Sequence, residues 1–386
     1  MNRIALTVFI IIIISNLQLL AVDEKEAVLN KKDSTLLAGV SAPDDKGSDL
    51  NGKAPSLAVE STAPGDEKDD FGLFSENTIL DVRLAFDIGT FMRDKPEDEY
   101  LDAEITVYEG NNDSIFENIK VSARGNFRRR TCDFPPVMLY MEGISSGYPD
   151  IDKLDKVKLV SHCSSSEEYQ NYVLREYLAY RVYNIITDYS FRVRLLNISY
   201  YDINTDTLFA EKTGFILEPV DFLEDRFDED EIEDIEIKME SVANDILLKL
   251  SVFEYFIANS DWAVPLIHNL KVFGDEGSME ELIAVPYDFD YSGWVNAHYS
   301  MPRVDLGLEK ITERAFFGPC YSEEMYRPVL DFYLGLEDKI IDMIKDFEYL
   351  DRRERNELVR FVKSFYRLYR KDEIFSIIKE QCISNK

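Results

Sequence analysis

Apolar and polar residues alternate over residues 79–86 (ILDVRLAF) and 103–108 (AEITVY), as in strands with one face buried. Residues 119–123 and 137–141 continue the pattern, and residues 156–160 (KVKLV) add a strand that sets Lys156 and Lys158 on one face. The period then changes. Over residues 168–186, Leu174, Leu178, Val182 and Ile185 form one helical face, widened by Tyr177, Tyr180 and Tyr183. Residues 190–201 and 208–217 flank a polar Asn204–Thr207 turn and read as a hairpin. A buried helix over residues 241–258 delivers Asn259 and Asp261. Two apolar runs, 269–273 and 282–285, enclose a Gly-containing turn and predict a second hairpin, which makes Asn269 and Asp288 neighbours. Beyond it the chain reads as helical. Met325, Val329 and Phe332 lead to Ile340, Ile341 and Ile344; Asp351 and Glu354 form a capping box, and Leu358, Phe361, Phe365 and Leu368 mark the last amphipathic face. The class is α+β, with strands first and helices later.

The amino-terminal part breaks this pattern. Residues 4–14 (IALTVFIIIII) follow Arg3 and precede polar Ser15 and Asn16, with a small-residue exit near Ala21. That predicts a signal peptide over residues 1–21, the alternative being an uncleaved anchor. Residues 22–72 lack an apolar period and predict a disordered linker, with the folded part spanning residues 73–386. The expected location is therefore secreted, periplasmic or cell-surface, with no integral membrane domain after cleavage. Four cysteines suit an oxidising compartment. Cys132 and Cys163 are the expected pair, both lying in the amino-terminal half beside strand-like segments; Cys320 and Cys382 pair or stay free. The net charge is −31, from 43 basic and 74 acidic residues, which argues against nucleic acid as a partner. The run 221–240, with eleven acids and two bases, reads as a solvated face or flexible loop.

Candidate chemistry centres on residues 259–293. Asp261 lies in a loop, Asn269 opens the hairpin, and Asp288 and Asp290 follow it. A carboxamide oxygen beside a carboxylate suits a hard cation such as Mg²⁺, and Asp261 is placed to orient or deprotonate a hydroxyl. An acid, an Asn, a hairpin and then Asp-Phe-x is the order found in protein kinases. The plainer alternative is a helix cap and two turn acids. Residues 120–131 hold five bases and no acid, a local reversal in so acidic a chain. Gly125 permits close backbone approach and Arg124 suits a phosphate, although a solvated turn fits as well. His162, His268 and His298 lack metal-ligand spacing, so zinc is disfavoured.

Together, Asn259-Ser-Asp261, Asn269 and Tyr287-Asp-Phe-Asp290 resemble the active-site half of the CotH-like atypical kinases, named for a spore coat protein kinase. Ser122-Ala-Arg-Gly-Asn126, Leu174-Arg-Glu-Tyr-Leu-Ala-Tyr180 and Gly214-Phe-Ile-Leu-Glu218 resemble further motifs of that family, over about residues 73–302. In this chain Asp290 replaces the Gly of Asp-Phe-Gly, and seven residues separate Asp261 from Asn269, against about four in kinase catalytic loops. The resemblance implies a two-lobed atypical kinase fold, with a β-rich N-lobe near residues 73–217 and a helical C-lobe near 218–386. It implies Mg²⁺-dependent transfer of the ATP γ-phosphoryl group to a Ser or Thr hydroxyl of an exported protein. Asp261 would be catalytic; Asp288, Asn269 and Asp290 would hold the metal; Lys158, fixed by Glu176, would hold phosphate with Arg124 nearby. Lys156 competes with Lys158, and Glu218 is a weaker candidate for a nucleotide edge. A pseudokinase or surface-binding protein, or a nucleotidyl transferase or metal-dependent hydrolase using the same acids, are the alternatives.

Overall fold

The alternating segments close into a barrel in a computed structural model, which describes residues 70–109, 113–233, 236–275 and 277–383. The expected signal segment, and the expected linker as far as residue 69, lie outside the described residues. The strands are β1 (Leu80–Phe86), β2 (Leu101–Glu109), β3 (Asp113–Ala123), β4 (Val137–Tyr140), β5 (Lys156–Val160), β6 (Val193–Asp202) and β7 (Thr207–Leu217). Their order is β1-β2-β3-β4-β5-β7-β6. Neighbours run antiparallel except at the closure, where β1 pairs β6 in parallel with Leu80 opposite Leu196. Three short helices sit in the connections: α1 (Ile88–Asp94), α2 (Asn126–Thr131) and α3 (Pro149–Asp152). The result is a mixed α+β protein with one large sheet, in agreement with the expected class.

Successive strand residues face opposite sides of a sheet, and here each side has its own core. Leu196, Ile198 and Ile216 join Val82, Leu84, Phe86, Val121, Leu139 and Leu159 in one cluster. Leu195, Phe215, Leu217 and Val160 join a second cluster built around helix α4 (Glu167–Ile186). The same alternation assigns Lys158, two residues from Val160, to the α4 side of β5.

The sequence predicts one apolar face for α4, but the helix is buried nearly all round. Arg175, Glu176, Ala179 and Tyr180 are covered as well as Leu174, Leu178 and Val182. The reason is its position between the sheet and the helices that follow. Arg175 is tied to the Trp294 and Val295 carbonyls and to Glu354 and Glu357, while the Trp294 indole donates to the Arg175 carbonyl at 2.8 Å.

After β7 come α5 (Val220–Phe227), α6 (Asn244–Phe256), the hairpin β8 (Leu270–Phe273) and β9 (Ile283–Pro286), then α7 (Glu323–Gly335), α8 (Glu337–Asp346), α9 (Arg352–Arg370) and α10 (Ile374–Gln381). The acidic run is not wholly flexible, because its first part forms α5, where Arg226 folds back on Glu218. In α7 the expected apolar stripe is one position out of phase. Tyr326, Leu330 and Tyr333 face the core, while Met325 and Phe332 are exposed. The tyrosines win because their rings fill the core while their hydroxyls reach the Pro319 and Lys249 carbonyls. Asp351 caps α9 as expected, accepting from the Glu354 amide at 2.8 Å.

Cys132 bonds Cys163, as expected, and Cys320 bonds Cys382. The first link fastens the end of α2 to the segment after β5. Among the described residues no helix is long and apolar enough to cross a membrane. The Cys132–Cys163 bridge closes a loop of 31 residues. Replacing both cysteines by Ser is expected to lower the unfolding free energy by about 2–4 kcal/mol. Urea titration of the double variant measures this; an unchanged midpoint would mean that the loop is held without the bridge.

Candidate functional site

Asp261 owes its position to the end of α6. There Ala258 takes a left-handed φ of 53°, turning the chain out of the helix. The Asn259 amide donates to the Glu254 carbonyl at 2.8 Å, and Gly293 and Trp294 donate to the Ala258 and Ile257 carbonyls. Asn259 is 1% exposed, and its Oδ1 accepts the Asp261 amide at 3.0 Å. The loop is thus fixed by backbone and buried carboxamide before the Asp261 side chain makes any contact.

The seven residues between Asp261 and Asn269 fold into a turn closed by the Ala263–His268 bridge. That turn returns Asn269 to Asp261. The Asn269 Nδ2 donates to the Asp261 carbonyl at 2.7 Å and to Asp261 Oδ2 at 3.1 Å. The other carboxylate oxygen accepts His268 Nε2 at 2.9 Å. His268 and Asn269 together hold the Asp261 carboxyl below the usual carboxylate range, and Asp261 in turn raises His268.

The hairpin delivers the other acids as the sequence predicts. Leu270 faces Pro286, and the Tyr287 amide donates to the Asn269 carbonyl at 3.0 Å. Asn269 and Asp288 therefore flank one end of the hairpin. Asp288 has φ 64° and its amide donates to the Tyr180 hydroxyl at 2.9 Å. Phe289 is fully buried between Tyr180 and Phe253, which anchors the Asp288-Phe-Asp290 step. Asp290 is buried beyond it and accepts Tyr299 at 3.1 Å. Burial and the Asp288 charge push Asp290 up to about 7.

The cations come from the sheet. Arg124 follows β3, its amide bonded to the Pro136 carbonyl, and Gly125 turns the chain into α2 with φ 79°. The Arg124 Nε is buried without a hydrogen-bond partner, and its charge acts on Asp288, Glu176 and Tyr180. Arg128, one turn on, donates to the Ser161 carbonyl at 3.0 Å and acts on Tyr299, Asp290 and Glu176. Lys158 lies 5.2 Å from the centre of the Tyr287 ring. Burial, then Arg124 and Lys271, pull Lys158 down to about 8.

Glu176 lies among these groups on α4, 3% exposed. Burial, Asp290 and Asp288 raise its pKa well above the carboxylate range, and Arg128 and Arg124 oppose the rise. The expected ion pair of Lys158 with Glu176 is not formed, since no contact within 4.0 Å joins them. Nor does an ion pair within 4.0 Å join Glu176 to Arg124 or Arg128, whose charges act on it from further away. Lys156, the competing lysine, is exposed and pairs with Asp155. Glu218 is spent on structure, bound by Arg226 and by the Arg192 amide.

One region therefore gathers Arg124, Lys158, Glu176, Asp261, Asn269, Asp288 and Asp290, all singled out from sequence. Arg128, Tyr180 and Tyr299 also belong to it but were given no role there from sequence, and His268 was weighed only as a zinc ligand. Arg128 had a signal, its place one helical turn after Arg124, and His268 had its adjacency to Asn269. The tyrosines had none, being ordinary core aromatics by pattern. Among the described residues no three His, Cys, Asp or Glu side chains gather as a metal site. A cation here would rest on Asp288 and Asp290 with the Asn269 carboxamide oxygen, which makes no intramolecular hydrogen bond among the described residues. Such an oxygen set suits Mg²⁺, which keeps water and phosphate as its remaining ligands. Facing cations and oxygen donors can hold a polyanion between them. Compared with known proteins, the chain matches no family model and no curated protein.

Folded Lys158 loses its proton near 8, whereas an unfolded lysine keeps it to about 10.5. The folded state binds fewer protons between those values, so this site makes stability rise with pH there and adds no slope below them. The difference in unfolding free energy, wild type minus Lys158→Met, is therefore expected to rise from roughly pH 7.5 to roughly pH 9.5 in urea titrations. A flat difference would show that Lys158 is solvated.

Proposed function

We propose that the protein is an exported atypical kinase of the CotH-like kind, transferring the γ-phosphoryl group of ATP to a Ser or Thr hydroxyl of an exported protein. In this reading the barrel and α4 form a β-rich N-lobe and the later helices a C-lobe. The observation that carries it is the meeting of Arg124, Arg128 and Lys158 with Asp288 and Asp290, beside an anchored Asp261, in a chain of net charge −31. Export is supported by the two disulfides.

Lys158, Arg124 and Arg128 bind the phosphates, the arginines as planar donors and the lysine as a point charge. Asp288, Asp290 and Asn269 would hold Mg²⁺, which when bound neutralises charge on the β- and γ-phosphates. Asp261 accepts a hydrogen bond from the acceptor hydroxyl and aims its oxygen at the γ-phosphorus. As the new O–P bond forms, the bond to the β–γ bridging oxygen breaks, the hydroxyl proton passes to Asp261 and ADP leaves. A lowered pKa suits this role because the phosphoryl transfer state is loose and needs orientation more than a strong base. His268 and Asn269 keep the carboxylate ionised and pointed.

A second reading, nucleotide binding without transfer, is favoured by the unpaired Lys158 and Glu176. The two separate experimentally. With γ-labelled ATP and Mg²⁺ the kinase labels protein, whereas α-labelled ATP does not; label from the α position would indicate nucleotidyl transfer. Asp288→Ala is expected to abolish transfer in a folded protein, and Asp261→Asn to lower kcat by about 10²–10⁴-fold. Full activity in Asp288→Ala removes the metal assignment. Heat stabilisation by Mg-ATP with no label transfer selects the second reading.

A further inference from the structure

Beneath the Asp261 loop lies a set of buried polar groups that the proposed reaction does not use. Glu254, on the last turn of α6, is 1% exposed, and neither of its carboxyl oxygens has a hydrogen-bond partner. The Asn259 Nδ2 and the Tyr183 hydroxyl are also buried and unpartnered. These atoms belong together. Asn259 lies near enough to the carboxyl to oppose the rise in its pKa caused by burial, and burial followed by the Glu254 charge raises the pKa of Tyr183 of α4. Tyr333 of α7 and Asp261 also feel Glu254, and none of the groups acting on it is a cation.

A buried carboxylate with no cation is costly and regains stability by keeping its proton. Glu254 does so at neutral pH, its pKa pushed up to about 8 by burial. A protonated carboxyl is both donor and acceptor. Its carbonyl oxygen matches the Asn259 Nδ2, and its hydroxyl matches the Tyr183 oxygen. The remaining atom of the Asn259 carboxamide, Oδ1, already accepts the Asp261 amide at 3.0 Å.

We propose that Glu254 is a positioning residue which, through the Asn259 carboxamide, holds the Asp261 loop against Tyr183 of α4. The proposed links run from Tyr183 to Glu254 and from Glu254 to Asn259, between atoms that are buried and otherwise unpartnered, and end at the Asn259–Asp261 hydrogen bond of 3.0 Å. Its effect on the reaction rests on the role given to Asp261 above, but the anchoring itself does not. Because the neutral carboxyl is the working form, Gln replaces it and Leu does not.

The test compares wild type, Glu254→Gln, Glu254→Leu and Asn259→Ala by amide hydrogen exchange over residues 258–262 and by transfer kinetics. Exchange at the Asp261 amide is expected to rise at least about tenfold in Glu254→Leu and to stay within about twofold of wild type in Glu254→Gln. Where transfer is present, kcat falls roughly 100-fold in Glu254→Leu with KM for ATP unchanged, and Glu254→Gln restores it. Asn259→Ala cuts the same link from its other end, gives the same exchange change, and decides the matter where Glu254→Leu does not fold. Wild-type protection in folded Glu254→Leu, or in Asn259→Ala, overturns the proposal. So does a Gln variant as poorly protected as the Leu variant. Absence of transfer in the wild type defeats the kinase reading alone, because the exchange data still decide the anchor.

Discussion

Charges carried into the interior by α4 constrain everything around them. Glu176 and Arg175 are neighbours on a helix that has almost no solvent face. Burial of an ionised group is tolerated only with partners or with loss of the charge. Arg175 finds its partners on the far side, in the Trp294 and Val295 carbonyls and the acids at the start of α9. Glu176 has no ion pair within 4.0 Å among the described residues, and burial with the Asp290 and Asp288 charges raises its pKa well above the carboxylate range, the charges of Arg128 and Arg124 opposing that rise. The helix thereby joins the sheet on one side and the hairpin and carboxy-terminal helices on the other, and the joint is made of charge as well as apolar contact.

The same constraint explains why acids and bases remain separate yet adjacent. Asp288 and Asp290 raise the pKa of Glu176, and Asp288 raises that of Asp290. Left alone, this cluster of carboxyls would be unfavourable. The cations opposite offset part of the repulsion, while Lys158, buried and then crowded by Arg124 and Lys271, loses some hold on its proton. A region with both strains unresolved is suited to a ligand carrying phosphate and a cation, since each relieves one of them. The Cys132–Cys163 bridge matters here because it fastens the arginine-bearing helix α2 next to the strand of Lys158.

Rigid scaffolding contrasts with the outer surface of the site. Phe289 is locked between Tyr180 and Phe253, and Asn259 is sealed beneath the loop. Asp288, by contrast, is exposed, and Leu266, at the turn between Asp261 and Asn269, is 75% exposed. Fixed backbone beneath accessible side chains is what the proposed transfer would require.

What the sequence determined by itself follows from short-range rules. Period-two and helical patterns located the strands, α4, α6 and the β8–β9 hairpin, because those periods report which face of an element meets the core. Hairpin geometry made Asn269 and Asp288 neighbours across the intervening turn, and the charge reversal at residues 120–131 marked Arg124. Tertiary structure alone decided what depends on partners distant in sequence. The parallel closure of β1 on β6, the burial of α4 on every side, and the stripe of Tyr326 and Tyr333 all arise from neighbours that no local period encodes. The state of Glu176 is of the same kind. Spacing pointed to a pair with Lys158, whereas packing left Glu176 buried with no ion pair among the described residues and its pKa raised, since the energy of a buried charge is set by whatever surrounds it in space rather than along the chain.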